Sequence, residues 1–138
     1  MLSISTKSLY GLKSLLYLAE YQQKGVVQMR EIAASQNIPQ NYLEQIFNLL
    51  GKANIIRSVR GKNGGYSLAG DPAGITVKEI ILLLEGGIAL VSAGSDPGEA
   101  ITITLQKAED ALLQALSISL AELLALHLAK RNIMAFDI

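Results

Sequence analysis

Arg57-Ser58-Val59-Arg60-Gly61-Lys62-Asn63-Gly64-Gly65-Tyr66-Ser67-Leu68 contains two short strand-like runs joined by a glycine-rich, cationic tip. Ile55-Ile56 and Val59 supply the apolar residues of a first strand, and Tyr66 and Leu68 alternate on a second. Gly64-Gly65 is expected to provide the positive-φ positions of a tight hairpin. Arg57, Arg60 and Lys62 surround the turn with no acidic residue among them, which suits a phosphate backbone or a narrow minor groove. The stretch reads as the wing of a winged helix-turn-helix, provided that helices precede it in the right order.

They do. Leu9, Leu12, Leu15, Leu16 and Ala19 recur at helical spacing and describe the buried face of a first helix, with Ser5 or Thr6 as its N-cap and Gly25 as its terminator. A short second helix runs from Met29 to Gln36 with Ile32 and Ala33 facing inward. Asn37-Ile38-Pro39 breaks it, and Pro39 suits the first turn of the next helix because it lacks the N–H that would be unpaired there. That third helix, from about Pro39 to Ala53, carries Tyr42, Leu43, Ile46, Phe47, Leu49 and Leu50. A short helix, a tight turn and a longer helix ahead of a hairpin make the helix-turn-helix arrangement.

Beyond the hairpin, Gly70-Asp71-Pro72-Ala73-Gly74 is a turn-rich link. Thr76 and Glu79 have the spacing of a capping box, so a fourth helix is expected to start at Thr76 and stop before Gly86-Gly87. Residues 88–99 read as a loop, with Gly94, Ser95, Asp96, Pro97 and Gly98 together. A long helix follows from Ile101 to Leu116, and Ser119 can cap a final helix through Leu120, Leu123, Leu124, Leu126 and Leu128.

A chain of 138 residues, half of them hydrophobic, can bury one sizeable core. Its formal net charge of zero would argue against a nucleic-acid binder, but the charge is unevenly spread. Residues 1–72 hold eight Lys/Arg against four Asp/Glu, and residues 73–138 hold four against eight. The basic half is the one that contains the hairpin, and it points towards a polyanion. Cysteine is absent, which excludes disulfides and thiol redox chemistry. Met1-Leu2-Ser3-Ile4-Ser5-Thr6-Lys7 has neither the apolar core nor the cleavage site of a secretory signal, and no apolar run is long enough for a membrane span. A soluble cytoplasmic protein without a membrane partner is expected.

The third helix presents Asn41, Glu44, Gln45 and Asn48 between its apolar positions. Glutamate accepts from cytosine N4, and Asn or Gln pairs bidentately with adenine, so these side chains can read base edges in a major groove. The helix itself is not basic, and affinity must come from phosphate contacts by Lys7, Lys13, Arg30, the wing arginines and helix N-termini. A plain solvated helix face is the alternative for Glu44 and Gln45.

Tyr42-Leu43-Glu44-Gln45, followed by Val59-Arg60-Gly61-Lys62-Asn63-Gly64-Gly65-Tyr66, resembles the Rrf2 family of bacterial winged-helix regulators. Ser5-Thr6-Lys7 with Tyr10-Gly11-Leu12, the Ile32-Ala33 pair, and Ile75-Thr76 through Leu84-Glu85-Gly86 extend the resemblance over residues 1–87, and it is looser beyond. The resemblance implies a homodimer on a pseudo-palindromic operator of double-stranded DNA, acting as a repressor. Carried onto this chain, the base-reading positions fall on Asn41 and Glu44, with Gln45 beside them, and the wing arginine falls on Arg60. Backbone contacts carried over fall on Thr6, Lys7, Tyr42 and Arg57, and the cationic edge and wing tip add Arg30, Gly61, Lys62, Asn63 and Gly64 as backbone or minor-groove candidates. The long helix would cross its counterpart through Leu105, Ala108, Leu112 and Ala115, an apolar seam that a single small domain could hardly cover. Burial of that seam inside one chain is the competing reading.

Cluster-binding members of the family place three cysteines in the loop before the long helix, where thiolates hold iron and sulfur. Here residues 88–101 have none, and Ser92, Ser95, Asp96 and Glu99 are too thin a donor set for a metal. No cofactor is expected. His127 sits in the leucine-rich last helix without a partner pattern and reads as an ordinary packed or surface histidine. Glu109-Asp110 reads as a solvated turn, and Gly61 to Gly65 is too short and wrongly placed for a P-loop or dinucleotide fingerprint, so an enzyme is not expected.

The resulting expectation is a mainly α fold. Residues 1–87 form a winged helix-turn-helix with a two-stranded β wing, and residues 88–138 form a loop, a long dimerisation helix and a final helix in one structural unit with the first. A second hypothesis is an interaction protein whose acidic C-terminal half docks a metabolic enzyme that modulates DNA contact, as in the cysteine-metabolism branch of the family. A small effector received by the 88–99 loop and a cavity beside the long helix is the other candidate partner.

Overall fold

The computed structural model describes residues 1–136. Over these described residues, six α-helices and one antiparallel hairpin follow in the order α1 Thr6–Tyr21, α2 Met29–Gln36, α3 Gln40–Lys52, β1 Ile56–Val59, β2 Gly65–Leu68, α4 Val77–Glu85, α5 Ala100–Ala115 and α6 Leu120–Phe136. Short 3₁₀ turns close α1 at Gln22–Lys24 and open α4 at Pro72–Gly74. The mainly helical winged arrangement is the expected one.

Local chemistry sets the helix boundaries. Ser5 caps α1 by accepting from the Ser8 backbone N–H at 3.2 Å. Thr76 and Glu79 close a reciprocal capping box on α4, at 3.1 Å and 2.8 Å, and Gly86 ends that helix with a φ of 82°. Ser119 accepts from Glu122 N–H at 3.0 Å at the head of α6. Asn37 terminates α2 in the left-handed region with a φ of 55°, a conformation that asparagine tolerates better than most residues. Pro39 stands one place earlier than its sequence suggests: it is the N-cap of α3, extended at ψ 129°, rather than a residue of the first turn. The final helix runs past Leu128 to Phe136.

The apolar stripes converge on one core. Leu15 and Leu18 from α1, Ile32 from α2, Leu43, Ile46 and Leu50 from α3, Ile80 from α4 and Leu120 from α6 are completely buried, and Ile56 and Leu68 bring the foot of the hairpin into the same cluster. Tyr17 crosses from α1 to α2, where its hydroxyl donates to Glu31 Oε2 at 2.6 Å. Burial, together with that carboxylate, pushes the phenol up to about 12. The turn into α6 is stitched to the head of α4: Lys78 N–H donates to Leu116 O at 2.7 Å and Leu120 N–H to Ile75 O at 2.8 Å. Glu85, at the far end of α4, accepts from the Ser5 backbone N–H at 2.8 Å and the Ser8 hydroxyl at 2.7 Å.

The long helix α5 stands apart from this core. None of its residues is buried, and Ile101, Leu105 and Leu112 are 64%, 39% and 38% exposed. Burial of its seam within one chain, the competing reading of that stripe, does not occur. Residues 88–99 form turns without regular structure, and Glu109 of α5 holds them by accepting from Leu90 N–H at 2.8 Å.

Candidate nucleic-acid interface

The helix α3 divides into two faces, and of its apolar positions Leu49 falls on the exposed side. Leu43, Ile46, Phe47 and Leu50 are buried, whereas Asn41, Glu44, Gln45 and Asn48 are exposed and, at spacings of three and four, share one side. No side chain caps its N-terminus, so the leading backbone N–H groups stay free to meet an acceptor. Tyr42 is different. It is half-buried with its ring edge-to-face against Tyr10, centroids 5.6 Å apart, and this contact fixes the start of α3 on α1.

The hairpin pairs Ile56 with Leu68, Arg57 with Ser67, Ser58 with Tyr66 and Val59 with Gly65. Arg60, Gly61, Lys62 and Asn63 at its tip are exposed, and no cation of the wing forms an ion pair among the described residues. Arg57 is less free, because its Nη2 donates to Ala69 O at 3.1 Å across the base of the hairpin. The expected role of the glycines needs correction. The positive φ lies at Gly61, at 115°, not at Gly64-Gly65. Gly64 and Gly65 serve close approach instead: a Cβ on Gly64 would lie 2.2 Å from Val59 O, and one on Gly65 would lie 2.7 Å from Val27 O.

That second contact exposes an element the sequence reading missed. Val27, just ahead of α2, exchanges two backbone hydrogen bonds with Tyr66, at 2.9 Å and 2.8 Å, and so forms a third short rung beside the hairpin. Tyr66 also packs edge-to-face on Phe47 of α3 at 4.8 Å. The wing is thereby locked to both helices of the helix-turn-helix. Gly25-Val26-Val27, a turn residue followed by a β-branched pair, was the available signal.

The remaining cations lie at the edges. Arg30 is exposed and donates through Nε to Gln28 Oε1 at 2.7 Å. Thr6 and Lys7 occupy the first turn of α1, beside the Glu85 carboxylate. The Ser5 and Ser8 hydroxyls and the Ser5 backbone N–H hold that carboxyl below the usual carboxylate range. His127 is exposed and does have partners: Arg131 Nη2 lies 2.7 Å from its Nε2 and 3.1 Å from Glu20 Oε2 on α1. This surface cluster ties α6 to α1.

A family model described as "Iron-dependent Transcriptional regulator", Rrf2, matches residues 4–126. The HTH-type transcriptional regulator CymR of Bacillus subtilis is 36% identical over 124 residues, covering 90% of each chain. The HTH-type transcriptional regulator IscR of Photorhabdus laumondii is 35% identical over 85 residues, 62% of this chain and 52% of that one. Among solved structures, CymR (YrzC), the global cysteine regulator of B. subtilis, superposes with a TM-score of 0.76 at 35% identity, covering 91% of this chain and 98% of its own. T. potens IscR gives 0.78 at 34% identity, covering 90% and 87%.

The family description names iron, and the residues here do not fit it. Thiolate ligands are impossible in a chain without cysteine, and no group of three His, Cys, Asp or Glu residues is placed to hold a metal ion among the described residues. Among the described residues no helix is long and apolar enough to cross a membrane. With the family model spanning most of the chain and relatives agreeing in both sequence and structure, the chain belongs to the Rrf2 family of DNA-binding transcriptional regulators.

Proposed function

We propose that the chain is a homodimeric repressor that binds a pseudo-palindromic operator without an iron-sulfur cluster. Residues 1–87 read DNA and residues 88–138 join the two copies. Asn41, Glu44 and Gln45 face the bases of the major groove. Arg60, Gly61, Lys62, Asn63 and Gly64 meet the backbone or minor groove, with Thr6, Lys7, Arg30, Tyr42 and Arg57 on phosphates. The observation that carries this reading is the exposed polar face of α3 standing beside a cationic wing tip whose charges have no ion-pair partner among the described residues.

Dimerisation through α5 is supported by its exposed seam. Leu105, Ala108, Leu112 and Ala115 repeat at the spacing of a helix-pair contact, and all four stay exposed among the described residues. A two-fold assembly presents α3 twice, which matches a palindromic site.

A cavity of about 590 Å³ lies between the N-terminal segment, the turn after α4 and α5, lined by Leu2, Ile4, Ile88, Leu90 and Leu112 with Glu85 at its edge. It is the proposed place for a small effector, since an occupant would press on the carboxylate that holds the first turn of α1.

The deciding experiment is selection of bound duplexes from a random library. Recovery of a symmetric site, bound by a dimer, supports the proposal. Recovery of an asymmetric site bound by one copy overturns the dimeric part, and no enrichment overturns the operator.

A further inference from the structure

Gly51 is a glycine without a structural reason. It lies in the last turn of α3, its φ is not positive, and a Cβ built on it meets nothing within 4 Å. Alanine is the better helix former at such a position, so the chain forgoes helix stability here for no gain in its own packing. The empty space belongs to an open cleft of about 750 Å³ between α3 and the inner face of the hairpin. Phe47 and Tyr66 meet at its base, Asn48 and Lys52 line it from α3, and Arg57 and Ser58 line it from β1. No acidic side chain is among the lining residues, and Lys52, Asn48 and Ser58 are all exposed hydrogen-bond donors. Arg57 uses Nη2 on Ala69 O, and its side chain makes no other hydrogen bond among the described residues.

Duplex geometry says what could fill it. The major and minor grooves are separated by a single sugar-phosphate strand. If α3 enters one groove and the wing tip the other, that strand has to pass between them, through the space that Gly51 leaves open.

We propose that the cleft between α3 and the wing is a seat for one phosphodiester strand. Lys52 and Asn48 bind its phosphates from one wall and Ser58 from the other, and Gly51 lets the backbone approach the helix. This rests on the reading of α3 and the wing as the DNA-contacting elements. The contact is with backbone alone, so it acts on every sequence alike and requires no knowledge of the operator.

The test uses the full chain and a short random-sequence duplex, with binding followed by fluorescence anisotropy across a salt series. Lys52→Gln is expected to lower the slope of log K against log salt by about one, and Lys107→Gln on α5, the control, to leave it unchanged. Gly51→Ala is expected to weaken binding several-fold while its melting temperature stays level or rises, and Gly51→Asp to weaken it further. Three results overturn the proposal. Wild-type affinity and slope in both Gly51→Ala and Lys52→Gln would show that the strand does not pass there, leaving the DNA reading intact. An equal loss of slope in Lys107→Gln would reduce the effect to net charge. Absence of salt-dependent binding by the unaltered chain would remove the reading beneath the proposal, and the proposal with it.

Discussion

Glu85, the last residue of α4, caps the first turn of α1: its Oε1 accepts from the Ser5 backbone N–H at 2.8 Å and from the Ser8 hydroxyl at 2.7 Å, although about eighty residues of chain separate them. The carboxylate also lies where the positive end of the α1 dipole favours a negative charge. The first turn of α1 carries Thr6 and Lys7, so the end of one helix holds the start of the proposed phosphate-contacting edge.

Glu85→Ala is therefore expected to lower stability by about 1–2 kcal/mol, a range set by charge-assisted hydrogen bonds and reduced for partial exposure. The pH dependence has a definite sign. The folded carboxyl is depressed, so its contribution is fully present above the unfolded value of about 4.3 and is lost as pH falls through the lower folded value. Urea midpoints of the two proteins should differ at neutral pH and converge in acid. A difference that persists unchanged into strong acid would rule the carboxylate out as its source.

Gly65→Ala places a methyl group 2.7 Å from Val27 O and must push the hairpin off that rung. The expected cost is about 1–3 kcal/mol, the range for a steric clash in a packed position. Hydrogen exchange should show the Val27 and Tyr66 amides losing protection first. A variant with native protection at both amides would contradict the close-approach account of this glycine.

Glu44 is exposed on α3 and pairs with nothing among the described residues, so Glu44→Ala should leave the melting curve in place. On operator DNA it is expected to change preference at one base position per half-site by ~1–3 kcal/mol. Lys62→Ala at the wing tip should act differently, weakening all sequences and lowering the salt slope by about one. Binding measured on a panel of single-base operator variants separates the two behaviours.

Leu112→Glu puts a charge into the exposed seam of α5, where the side chain is 38% exposed in the single chain. Sedimentation should show a shift from dimer to monomer, with the helical spectrum retained because no residue of α5 is buried among the described residues. Operator affinity should fall with the loss of the second reading head. A variant that remains dimeric would place the partner contact elsewhere.

The helices were legible in the sequence wherever periodicity and a cap coincided. Ser5, Thr76 and Ser119 each mark a start that hydrogen bonds realise, and the alternation Tyr66, Leu68 places the second strand. The polar face of α3 was equally legible, because Asn41, Glu44, Gln45 and Asn48 fall between the apolar positions. Other features depend on pairs remote in sequence. Val27 on Tyr66, Glu85 on Ser5, and Arg131 on Glu20 leave no local periodicity to read. Gly64-Gly65 misled for a related reason: glycine reports a backbone need without saying whether it is an angle or a neighbour.

The exchange of hydrogen bonds between Val27 and Tyr66 turns the hairpin and the helical head into a calliper set to one gap. On the proposed reading, in which α3 and the wing both meet DNA, a gap held in this way requires the duplex to adapt to it. The energy of that adaptation depends on how easily each base step twists or narrows, and flexible pyrimidine-purine steps yield at least cost. Selectivity on that reading should then extend to base pairs that no side chain touches, imposed by a backbone ladder rather than by a side chain.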